Sequence, residues 1–72
     1  MEDIENRIEY LEYKVKEYKN EIRRIKSTIN KVEKLGLLVP NELVFKKENI
    51  EVELKERKEE LKALKKVVKL IN

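Results

Sequence analysis

Cysteine and histidine are both absent from this 72-residue chain. Their absence excludes disulfides, thiolate nucleophiles, imidazole acid–base work and the usual zinc ligand sets. Glutamine and tryptophan are missing as well, and there is one glycine, Gly36, and one proline, Pro40. No apolar run approaches the ~20 residues that span a bilayer. Met1, Glu2 and Asp3 carry negative charge where a signal peptide carries positive charge. A soluble, cytoplasmic protein is therefore expected, with membrane association disfavoured.

What is present is charge. Asp, Glu, Lys and Arg make up 46% of the residues, with fourteen Lys and fourteen Glu. Lys and Glu enrichment with few labile residues follows the hyperthermophile trend, although six Asn run against it. The net charge of +3 does not by itself imply a nucleic-acid partner. A chain of this length forms one domain and buries only ~60% of its unfolded surface, so its core is marginal without help. With disulfides and zinc excluded, oligomerisation is the remaining source of help.

Apolar residues recur from Ile4 to Val32 at alternating steps of four and three: Ile4, Ile8, Leu11, Val15, Tyr18, Ile22, Ile25, Ile29 and Val32. With Ile8 as heptad position a, Ile8, Val15, Ile22 and Ile29 fill a, while Ile4, Leu11, Tyr18, Ile25 and Val32 fill d. A period of 3.5 held this long marks a helix that buries one narrow stripe against partner helices. This first helix is predicted over about residues 2–35, starting near Glu2 or Asp3 and stopping at Gly36, which suits a left-handed cap. The turn covers 36–41, with Leu37, Leu38 and Val39 expected to plug the end of the core. Either Pro40 occupies the first helical position or Asn41 caps the second helix.

The second helix, about 42–71, carries a seam at Leu43, Lys47, Ile50, Leu54, Arg57, Leu61, Leu64, Val68 and Ile71. Ile50, Val52 and Leu54 alternate with Glu51 and Glu53 as a strand would. Glu51 with Lys55 and Glu53 with Arg57 are favourable four-residue helix pairs, and Lys and Glu are poor strand formers. A helix is the stronger expectation, and residues 1–72 read as a single helical-hairpin domain.

Segment charges agree with an antiparallel hairpin. Residues 1–12 are net negative by four, 13–34 net positive by five, 42–60 net negative by two and 61–72 net positive by four. Folding about the turn sets opposite signs side by side, which argues for orientation and little for stability, because exposed pairs contribute only ~0.2–1 kcal/mol. The corresponding ladder pairs Ile4 with Ile71, Ile8 with Val68, Leu11 with Leu64, Val15 with Leu61, Ile22 with Leu54, Ile25 with Ile50 and Val32 with Leu43. It sets Tyr18 opposite Arg57 and Ile29 opposite Lys47.

Nothing in the chain points to catalysis. The hydroxyls are Ser27, Thr28 and three tyrosines, none beside a plausible base. A di-metal bundle needs Glu-x-x-His pairs facing its core, and here the Glu residues lie outside the seam. The acids Glu56, Glu59 and Glu60 read as a solvated face. No metal, cofactor or small-molecule substrate is expected. The basic amphipathic run from Leu61 to Ile71 reads as core plus lysines answering the acidic N-terminus, in preference to a membrane-surface helix. Val67 and Leu70 widen its stripe beyond what one partner helix covers. On helix 1, Lys16, Arg23, Arg24, Lys31 and Lys34, with Tyr13 and interleaved Asn20 and Asn30, form an outer basic row suited to phosphates.

A cysteine-free hairpin of two heptad helices in this length resembles, in architecture only, the Rop class of plasmid RNA-binding proteins. That resemblance implies a dimer forming a four-helix bundle. Residues 38–64, with Val39, Val44 and Phe45 ahead of a Lys/Glu helix, are similar to the shoulder of prefoldin subunits, whose β-hairpin is longer than the connection here. The expectation is an all-α, antiparallel, coiled-coil-like helical hairpin that dimerises into a four-helix bundle and serves as a small structural or adaptor protein. Nucleic-acid binding through the basic row of helix 1 is the alternative.

Overall fold

The computed structural model describes residues 3–71. Two helices of 31 residues each, α1 (Ile4–Lys34) and α2 (Asn41–Ile71), pack along one another as a hairpin. The Asp3 carboxylate accepts from the Glu5 amide at 3.1 Å and caps α1. The expected start at Glu2 lies outside the described residues.

Gly36 ends α1 with φ +74°. Its amide donates to the Glu33 carbonyl at 2.9 Å, and the Leu37 amide reaches back to the Val32 carbonyl at 3.2 Å. Those two bonds make a Schellman closure, which satisfies carbonyls that the helix end leaves open. At the start of α2 neither expected arrangement holds. The Pro40 carbonyl accepts from the amides of Leu43 at 3.1 Å and Val44 at 3.4 Å, so Pro40 sits one place before the helix and Asn41 is its first residue. Proline suits that place because it has no N–H left to satisfy.

The seam is where the heptads place it. Leu11, Val15, Ile22, Ile25 and Ile50 are buried. Ile4, Ile8, Tyr18, Ile29, Val32, Leu43, Leu54, Leu61, Leu64 and Val68 are half-buried, as are the polar seam residues Lys47 and Arg57. Ile22, Ile25 and Ile50 form the central cluster, with Tyr18, Ile29, Leu43 and Leu54 packed on it. Residues 43–53 are helical throughout, without the extended piece their alternation allowed.

Lateral ion pairs mark the register. Arg7 meets Glu60 on one side of the seam, as Glu21 meets Lys46, and Glu12 meets Lys65 on the other. Midway between those pairs, each α1 residue lies about one turn nearer the connection than the expected ladder put it. Ile29 thus joins the cluster with Leu43 instead of facing Lys47, and Tyr18 joins it with Leu54 while Arg57 stays close enough for its charge to act on the phenol. Ile4, Val68 and Ile71 line one cleft at the open end. The same shift corrects the placement of Ile71 in the core: it runs past the start of α1 and stays 73% exposed. The turn plug is corrected too. Leu37 and Leu38 are exposed and only Val39 is half-buried, since the Leu37 amide is tied to α1 and two helices supply no third element to cover the turn.

Candidate functional site

The two flanks of the seam carry the chemistry, because there the side chains of both helices converge at the edge of the core. On the first flank the Arg7 guanidinium donates twice to Glu60, through Nε at 2.7 Å and Nη2 at 3.2 Å. It also stands 5.1 Å from the Tyr10 ring centroid. The Arg7 hydrogen bonds hold the Glu60 carboxyl below its ordinary value of 4.5, against some desolvation. One heptad along, Lys14 lies 5.6 Å over the Tyr18 ring. Burial pushes the Tyr18 phenol above 10.0, and the adjacent Glu53 carboxylate pushes the same way. Another heptad along, Lys46 Nζ is 3.8 Å from Glu21.

Tyr18, Phe45 and Ile50 line a groove beside that flank with Glu21, Glu42 and Glu53. On the second flank Lys65 pairs with Glu12 at 3.8 Å. The next rung sets Lys19 against Lys58, and both line a cleft floored by Ile22 and Leu54 and edged by Lys26 and Lys55. Glu51 and Glu59 complete its wall, Glu51 already meeting Lys47 at 3.7 Å.

Lys16, Arg23, Arg24, Lys31 and Lys34, the row expected to meet phosphates, are all exposed. They do not share one surface. Lys16 and Arg23 lie three and four residues from Lys19, on the side of the lysine cleft, whereas Arg24 lines a different cleft beside Glu17 and Glu21. Lys55 and Lys58 escape a reading of helix 1 because they belong to α2, and Lys19 and Lys26 because they flank the seam beside Tyr18 and Ile25 instead of lying on the outer row. The signal that finds them is the identity of the lateral heptad positions once the register is known.

The outer side of α2 is the second unusual surface. Phe45, Val52 and Leu70, none of them a seam residue, are 60%, 57% and 84% exposed. Among the described residues no buried polar side chain and no cluster suited to a metal ion occurs. No helix is long and apolar enough to cross a membrane. Charge and exposed apolar area are displayed along a rod.

No family model, curated protein or solved structure matches this chain.

Proposed function

We infer that the protein is a small non-enzymatic interaction module: two hairpins pair through the outer faces of α2 into a four-helix bundle, which serves as an adaptor for a further protein. The carrying observation is the outward stripe of α2. Phe45, Val52, Ala63 and Leu70 fall at steps of seven, eleven and seven, within about 20° of one line down the helix at 100° per residue. This second stripe is distinct from the seam, and a lone hairpin leaves it in water.

The stripe is symmetric about the point between Arg57 and Lys58. Two antiparallel copies of α2 therefore match Phe45 with the second copy's Leu70, and Val52 with its Ala63. On one flank of that pairing Glu48 meets Lys66, whereas its centre sets Glu56 against the second copy's Glu59, so the apolar stripe carries the pairing and charge does not. Burying one Phe or Leu side chain favours association by ~1.5–3 kcal/mol, more than the charges contribute.

Sedimentation at micromolar concentration is the test. A dimer is expected, with a melting temperature that rises with protein concentration. Phe45→Glu should weaken association by about 100-fold while leaving the chain helical. Glu48→Lys should weaken it less, and adding Lys66→Glu should restore it. A folded 8.7 kDa monomer at high concentration overturns the proposal.

A further inference from the structure

The flanking charges obey one rule with one exception. Arg7 with Glu60, Glu21 with Lys46 and Glu12 with Lys65 are opposite in sign and in contact. Steps of one heptad from those pairs set Lys14 beside Glu53 and Lys26 beside Glu51, again opposite in sign. Among the described residues only the rung of Lys19 and Lys58 sets like charges on facing heptad positions, in the middle of the rod, where both line one cleft. Lys16 and Arg23 on α1, and Lys55 and Lys62 on α2, lie three or four residues to either side of it. None of these six cations holds an ion pair among the described residues. Folding thus gathers six cations along this edge, three of them lining the cleft together with Lys26 and with Glu51 and Glu59 as its acids.

We propose that this double row is a sequence-independent binding site for the phosphodiester backbone of duplex nucleic acid. It goes beyond the assembly of hairpins and does not depend on it. The cations follow each helix at steps of three and four residues, ~4.5–6 Å. Such a spacing in an open cleft suits a linear array of phosphates better than one small anion. No aromatic side chain lines the cleft, so it lacks the stacking platforms that hold single strands. Its Ile22 and Leu54 floor carries no group that reads a base edge. Contacts to the backbone alone give affinity without sequence preference and a steep dependence on salt.

The experiment measures retention of a 24-base-pair DNA duplex, an RNA duplex, a single strand and linear polyphosphate over a salt series. The wild-type chain is expected to bind both duplexes more tightly than the single strand. Lys19→Glu should reduce duplex binding more than tenfold and flatten the salt slope by about one to two units. It should also raise the melting temperature, because it turns the one repulsive rung into an attractive one. Lys58→Glu should act alike. Lys31→Glu with Lys34→Glu removes cations outside the cleft and should leave most of the binding intact. Several outcomes overturn the proposal: no duplex retained by the wild type at low salt, equal loss in the Lys31 and Lys34 variant, or preference for polyphosphate or the single strand.

Discussion

Arg7 and Glu60 tie the two helices together through two N–H···O bonds, and the pair titrates. The arginine holds the Glu60 carboxyl below its ordinary value of 4.5, so the folded chain favours the ionised form more than the unfolded chain does. The sign follows from proton linkage. This contribution is fully present above the unfolded value and is lost as the pH falls through the depressed one. Glu60→Gln should accordingly melt below the wild type at pH 7, and the gap should close as the pH is lowered toward 3. Thermal melts followed by circular dichroism at several pH values check this, and a gap independent of pH would mean that the pair acts through packing of the Arg7 stem alone.

At the level of elements, the two helix boundaries at the turn rest on different residues. Gly36 holds φ +74° in open space, and a methyl group added to its α-carbon would have nothing within 4 Å. Gly36→Ala therefore meets no clash, and its effect is that of the left-handed backbone alone, a loss of about 1–2 kcal/mol. Denaturant unfolding should show the midpoint fall with the slope unchanged, and D-alanine at the same position should avoid the loss. The start of α2 has no such specialised residue, since Pro40 offers a carbonyl and no capping side chain. Within α2, Ile50 turns to the core while Val52 turns outward. The alternation that suggests a strand is there because the helix presents one apolar residue to each of two surfaces.

As a whole the molecule is a rod of 55 × 19 × 15 Å. Among the described residues five hydrophobic side chains are buried while ten large ones stay exposed, which is why self-association is the reading proposed for the outer face of α2. The same rod shape keeps the lysine cleft open along its length. Spin labels at Glu5→Cys and Lys69→Cys, both exposed and near the open end, should lie about one to two helix diameters apart, ~10–20 Å. A single uninterrupted helix would put them roughly 95 Å apart. The measurement also separates intrachain from interchain pairing when labelled and unlabelled chains are mixed, since dilution leaves an intrachain distance unchanged.

The heptads of Ile4 to Val32, the lone Gly36 and the segment charges are enough to determine two helices, their antiparallel course and most of the seam. These are local properties: periodicity, a left-handed cap and net sign follow from neighbours in the chain. Register is not local. It depends on which lateral side chains meet, and the Arg7–Glu60 and Glu12–Lys65 contacts place it about one turn from the ladder that end-to-end alignment suggests. That turn leaves Ile71 uncovered, and the same packing puts Lys19 and Lys58 on one edge. The basic row is legible in helix 1 only in part, because half of the cleft that gathers its cations comes from α2, and only packing brings residues so distant in the chain onto one edge.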